Sequence, residues 1–247
     1  MAGRLDALGL EYSFFDAVIG KDLDLETLPA YDGPRRRLLF GRDMSKGELG
    51  CLLSHRGVCQ EIADRSIDKA IILEDDTILS PDFPAVVQAL LKMPVKWDMI
   101  RFLDNEKLNK KSRTIGALWG EYKLIRPAIN SGGGHAYMVT KEAAQCLVRH
   151  TQKNFLPIDI LHSYVWLTGL EVFSVKPFPA VRDIVPASTI GETRFDKTSQ
   201  LSGWQRMAYP LTRSWLKLSE HIGRRRAYWG AWRRDLDNRQ RLGSIKS

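Results

Sequence analysis

No apolar run in this 247-residue chain approaches the roughly 20 residues needed to cross a bilayer. The opening residues, MAGRLDALGLEY, contain no continuous apolar stretch of the secretory kind. Cysteine is scarce: Cys51, Cys59 and Cys146 are an odd number without CxxC spacing, so free core thiols in a reducing compartment are expected. With no export signal, the expected location is the cytoplasm. Internal repeats and low-complexity tracts are also missing. The composition, 44% hydrophobic and 27% charged, excludes a mostly disordered chain, a collagen-like repeat and a disulfide-stapled miniprotein. It leaves enough apolar side chains for one large core or two modest ones.

Excess charge is missing from most of the chain. The net charge is +8, yet residues 1–199 hold 26 basic and 26 acidic side chains. Residues 200–247 hold 11 Lys/Arg against Glu220, Asp235 and Asp237, together with four of the seven tryptophans. A basic, aromatic tail on a neutral body points to an anionic partner for the tail and not for the body.

The body alternates strand-like and helix-like segments, which predicts an α/β domain with a mostly parallel sheet. A helix is expected over 2–8 and an extended piece from Tyr12 to Val18. Ser45-Lys46-Gly47-Glu48 is a capping box, followed by an apolar stripe of Leu49, Leu52, Leu53, Cys59, Ile62 and Ala63. Ala70–Leu73 reads as a strand. Ser80-Pro81-Asp82 is expected to open a helix that ends near Pro94. Strands are expected around 97–103, 122–126, 135–139 and 171–176, and helices over 141–150 and 157–168. Asn130–Gly134 is a glycine-rich loop. In the tail, Trp204, Ala208, Leu211, Trp215, Leu218 and Ile222 recur at helical spacing, and Pro210 is expected to kink or split that helix.

The most informative stretch is Ala70-Ile71-Ile72-Leu73-Glu74-Asp75-Asp76, in which three carboxylates follow a fully apolar strand. In open α/β sheets ligands bind beyond the carboxyl ends of strands. Extended alternation puts Glu74 and Asp76 on one side and Asp75 opposite. Two carboxylates so placed repel unless a cation neutralises them. A divalent ion such as Mg²⁺ or Mn²⁺, bridging to a diphosphate, would do so. A solvated acidic turn is the plain alternative.

Three stretches carry a resemblance to glycosyltransferase family 25, which includes bacterial lipopolysaccharide galactosyltransferases and animal collagen galactosyltransferases. Ser45–His55 resembles the family's G-E-I/L-G-C-x-x-S-H helix. Ile71–Asp76 is similar to its I-x-L-E-D-D strand end. Gly134-His135-Ala136-Tyr137-Met138-Val139-Thr140, with Pro157-Ile158-Asp159, resembles its later strand and P-I/V-D pair. Phe15–Val18 and Ser188-Thr189-Ile190 are also similar. The resemblance covers roughly residues 5–192 and not the tail.

The resemblance implies a GT-A-like, nucleotide-sugar-binding domain over 1–199, followed by a basic, helical 200–247 segment. It implies transfer of galactose from UDP-galactose with inversion, to a lipopolysaccharide or other surface glycan. Asp76 is the implied metal ligand, with Glu74 at the metal or the donor ribose and Asp75 beside it. Ser54, His55, Gly134 and Tyr137 are implied at the donor. Inversion needs one base to take the acceptor hydroxyl's proton, and the P-I-D motif points to Asp159. Without the family, Asp159 is an ordinary first-turn acid. His162, three residues on, shares its helical face. His55 and Tyr137 each also suit a core position, and the triple glycine also suits a flexible loop.

One departure stands out. Family members begin with a strand that here has no counterpart, since MAGRLDALGLEY reads like the second half of the helix that follows it. A late start codon or a truncated protein is expected, the latter less stable and poorly active. The tail interleaves Arg224-Arg225-Arg226 and Arg233-Arg234 with Tyr228, Trp229 and Trp232. That mixture suits an anionic membrane interface. It is compatible with nucleic acid, the less favoured partner, and with a terminal helix folded onto the body. An inactive or binding-only homologue is the remaining alternative to an enzyme.

Overall fold

The computed structural model describes residues 1–102, 111–129, 134–183, 201 and 203–243. The expected glycine-rich loop at 130–133 and the 188–190 stretch lie outside them. Helices α1 (Ala2–Asp6), α2 (Gly33–Phe40) and α3 (Lys46–Asp64) precede the strands. Strands β1 (Lys69–Leu73) and β2 (Thr77–Leu79) lead to α4 (Phe83–Lys92). Then come β3 (Met99–Arg101), β4 (Ser112–Trp119), β5 (Tyr122–Pro127), β6 (Ala136–Thr140) and α5 (Lys141–Thr151). The short helices α6 (Ile158–Ser163) and α7 (Val165–Thr168), β7 (Val172–Lys176) and β8 (Ala180–Arg182) follow. The tail forms α8 (Trp204–Gly230) and α9 (Trp232–Gly243).

A six-stranded sheet has the order β1-β6-β3-β7-β5-β4, and β2 pairs with β8 in a separate two-stranded sheet. Four strands (β1, β3, β7, β4) run one way, but β6 and β5 run against them and sit between them. Only β3 and β7 are therefore parallel neighbours. The sheet is mixed where a mostly parallel one was expected. Strand period 2 splits its side chains between two cores. Tyr137, Val139, Met99 and Val172 face α3, α5 and α6, while Ala136, Met138, Ile100, Phe173 and Val175 face α4.

Local signals explain most element boundaries. Ser45 Oγ accepts from Glu48 N (3.1 Å) and Glu48 Oε2 accepts from Ser45 N (2.8 Å), so the capping box forms. Thr140 caps α5 through Ala143 N. Helix α4 starts later than expected, at Phe83 with Asp82 before it, because Ser80 instead closes a turn with its carbonyl accepting from Phe83 N. The Tyr12–Val18 piece forms no strand, and its end is held by Val18 N donating to Ser54 Oγ (2.9 Å). Pro210 does not split α8, which runs through it as one helix. The proline lies in the second turn and is solvent-exposed, so the carbonyl it cannot reach has water nearby.

The tail packs on the body through one face of α8 and through α9. Thr212 Oγ1 donates to Leu38 O (2.6 Å), Tyr164 OH donates to Glu220, and Leu216 is buried. A Cβ on Gly223 would come within 2.5 Å of the Trp166 ring, so that glycine sets how closely α8 approaches. In α9, fully buried Asp235 receives Arg113 and, through Nε and a terminal nitrogen, Arg126.

Candidate functional site

The antiparallel pairing of β1 with β6 builds the site. Its last rung is Leu73 opposite Ala136, so the residue after β1 meets the residue before β6. Glu74 N donates to His135 O (2.8 Å), and Thr77 Oγ1 donates to the same carbonyl (2.9 Å). Glu74-Asp75-Asp76 then turns, with Thr77 N donating back to Glu74 O (3.1 Å). The turn points Glu74 and Asp76 toward His135 and leaves Asp75 exposed.

His135 Nδ1 lies 2.6 Å from Glu74 Oε2 and 3.5 Å from Asp76 Oδ1. From the other side, His55 on α3 places Nε2 3.3 Å from Glu74 Oε1. Its Nδ1 is 2.8 Å from the Tyr137 hydroxyl, which burial above all keeps protonated. A carboxylate only accepts, so His55 donates to Glu74 from Nε2. Burial works to raise the Glu74 carboxyl, but the hydrogen bonds from His135 and His55 outweigh it and hold Glu74 well below the usual carboxylate range. The hydrogen bond to Glu74 raises the His135 pKa against the effect of burial, and the charges of Glu74 and Asp76 add to it.

Asp76 Oδ2 accepts from Arg182 Nε on β8 (2.7 Å), and Asp183 N donates to Asp76 O (2.6 Å). Asp76 Oδ1 is buried and has no hydrogen-bond partner among the described residues. Glu74, Asp76 and His135 each offer an atom within 4.8 Å of the others, as do Cys51, His55 and Glu74. The first group contains the orphaned oxygen. Two carboxylate oxygens and one imidazole nitrogen suit a divalent ion that accepts both, Mn²⁺ better than the strictly oxygen-seeking Mg²⁺. The residues present thus fit such a cation.

The other expected residues fall around this cluster. Gly134 covers it, and a Cβ there would sit 3.2 Å from Glu74 Oε1 and 3.4 Å from the His55 ring. Tyr137 is 1% exposed and stacks on His55 with centroids 5.7 Å apart, so its ring occupies the core. Ser54 donates to Gly50 O (2.7 Å) and holds Val18, so it positions the 12–18 segment beside α3. His162 on α6 packs edge-on against Tyr137 at 4.6 Å, and both its ring nitrogens lack hydrogen-bond partners among the described residues. Burial depresses its pKa far below the usual histidine value, with His55 and Arg101 adding to the effect. Asp159 opens the same helix one turn earlier and accepts from Ile160 N (2.8 Å).

Sequence reasoning missed His135 as a partner of the acidic turn and missed Arg182 altogether. His135 precedes a strand that was expected, so its meeting with Glu74 required only the antiparallel pairing. Nothing in the sequence around Arg182 marks it. Cys59 is buried, its thiol pushed up to about 12 chiefly by that burial, as suits a core thiol.

A sequence profile described as Glycosyltransferase family 25 (LPS biosynthesis protein) matches residues 1–162. Among curated proteins, the chain is 24% identical over 203 residues to "Probable inactive glycosyltransferase 25 family member 3" of Rattus norvegicus, covering 74% of this chain and 33% of that protein. It is 30% identical over 142 residues to "Procollagen galactosyltransferase 1" of Danio rerio (56% and 22%). It is 32% identical over 177 residues to "Glycosyltransferase 25 family member" of Aedes aegypti (64% and 27%). The chain spans about a third or less of the length of these relatives. With the profile covering well over half of it, the chain belongs to glycosyltransferase family 25.

Proposed function

We propose that the chain is a metal-dependent hexosyltransferase that moves galactose from UDP-galactose to a lipopolysaccharide or other surface glycan, with inversion. The supporting observation is the buried Asp76 Oδ1, which makes no hydrogen bond among the described residues and lies 3.5 Å from His135 Nδ1 beside Glu74. In this reading residues 1–199 form a GT-A-like domain, and Glu74, Asp76 and His135 hold Mn²⁺ or Mg²⁺. When bound, the ion offsets charge on the departing diphosphate. His55 orients Glu74, and Tyr137 holds the His55 ring in place through Nδ1. Gly134, lacking a side chain, leaves room for a phosphate or sugar to approach the carboxylate. Arg182, tied to Asp76, adds positive charge at the rim. Asp159 accepts the proton of the acceptor hydroxyl as that oxygen attacks the anomeric carbon. The three free cysteines suit a reducing compartment, and a membrane-borne acceptor suits peripheral contact of the 200–247 segment with its cytoplasmic face. No described helix is long and apolar enough to cross a membrane.

A second reading has a specific support, because several relatives are named inactive. In that reading the site binds a nucleotide sugar without turnover. The deciding experiment is UDP release from a panel of UDP-hexoses with Mn²⁺. The enzyme reading expects release with UDP-galactose that falls by about a hundredfold or more in Asp76→Ala. No release from any donor, with UDP binding intact, would establish the second reading.

A further inference from the structure

The outer face of α8 carries a long apolar surface that the described residues leave uncovered. Trp204, Met207, Leu211, Trp215, Leu218, Ile222 and Trp229 are 66, 83, 76, 62, 58, 41 and 56% exposed. At roughly 100° per residue these seven fall within an arc of about 80°, opposite the Tyr209, Thr212, Leu216, Glu220 and Gly223 face that packs on the body. The stripe runs for about 39 Å along the helix axis. A helix that packs on the body by one face has no folding reason to carry a second apolar face.

Burial also changes the tail's outward charge. Of its three acids, Asp235 is fully buried between Arg113 and Arg126, and Glu220 is held by Tyr164 and Arg224. Only Asp237 is solvent-exposed. Arg206, Lys217, Arg225 and Arg226 are exposed along α8, with Arg225 and Arg226 on either side of the stripe. At the same end, Arg224, Arg226 and Arg234 meet Trp166 and Tyr228 around a cavity of about 610 Å³, and Ile222 borders both cavity and stripe.

We propose that the outer stripe of α8 lies in the plane of an anionic lipid surface, with its tryptophans at headgroup depth and the cavity beside it facing the headgroups. This deepens the reading of a surface-glycan transferase by naming the surface that meets the membrane. Tryptophans along the stripe with Arg225 and Arg226 at its edges suit the chemistry of a lipid interface. Parallel pairing of two copies along the stripe would bring Arg225 and Arg226 against their own copies, and a dimer in any other arrangement is the outcome that the test separates from lipid binding. Each exposed basic residue near the surface adds to attraction for anionic lipid.

The test is co-sedimentation of the full chain with equimolar phosphatidylethanolamine and phosphatidylglycerol vesicles, beside phosphatidylcholine vesicles. A triple variant, Leu211→Ser/Trp215→Ser/Leu218→Ser, changes only exposed side chains. Unchanged circular dichroism and unchanged UDP release in lipid-free solution check its fold and the transferase reading separately. The expected result is binding to anionic vesicles that the triple variant loses by about tenfold or more, with weak binding to phosphatidylcholine. Equal vesicle binding by both proteins, or none by either, would overturn the proposal. So would a wild-type dimer, broken by the triple variant, that ignores vesicles.

Discussion

His135 Nδ1 sits 2.6 Å from Glu74 Oε2 because the strands carrying them end and begin on the same antiparallel rung. In the folded chain the hydrogen bond to Glu74 raises the His135 pKa, and the imidazole stands between the two carboxylates. A divalent cation would stand between them instead, with Nδ1 as a ligand. His135→Ala is therefore expected to weaken Mn²⁺ binding by about tenfold or more, measured by calorimetry. It is also expected to narrow the preference for Mn²⁺ over Mg²⁺, since the remaining donors are oxygens.

Asp159 tests the assignment of the base separately from the metal. Asp159→Asn keeps the shape of the first turn of α6 and removes the proton acceptor. Turnover is expected to fall about 10²–10⁴-fold while UDP and Mn²⁺ affinities stay near wild type. A parallel loss of UDP affinity would instead place Asp159 among the donor contacts.

His162 gives a prediction about stability. Its folded pKa is depressed by burial, and the unfolded ring titrates near 6.5. Below that pH the unfolded chain binds a proton that the folded chain refuses. The stability tied to this residue is thus present above about pH 6.5 and lost as pH falls, by up to about 1.4 kcal/mol per unit. Urea melts at pH 5–8 are expected to show this slope flattened in His162→Leu.

Asp235 joins the tail to the sheet. Asp235→Ala would leave Arg113 and Arg126 buried without their shared carboxylate, a loss of about 3–5 kcal/mol if nothing relaxes. Glu171 still meets Arg126, and Arg113 keeps the Tyr228 and Trp232 rings at 4.3 and 4.5 Å, so the lower end of that range is expected in thermal or urea melts.

The elements that were legible in the sequence have local causes. The capping box of α3, the Thr140 cap and the apolar β1 run each act within a few residues. The pairing of β6 between β1 and β3 was not legible, because strand direction depends on contacts distant in sequence. That pairing gathers Glu74, Asp76, Gly134 and Tyr137, and the packing of α3 adds His55, all of which the motifs had singled out. His135 and Arg182 join them through the fold alone. The net charge of the tail was countable in advance. That Asp235 turns inward and Glu220 is tied down, leaving the outer face basic, depended on packing.

The central claim is that Glu74, Asp76 and His135 form a divalent-metal centre for a nucleoside diphosphate. Electron paramagnetic resonance of Mn²⁺ titrated with the protein, with and without UDP, tests it independently of turnover. The account predicts loss of the free Mn²⁺ signal on addition of protein, strengthened by UDP and abolished in Asp76→Ala. An unchanged free signal with wild-type protein and UDP present, or equal binding by Asp76→Ala, would contradict it.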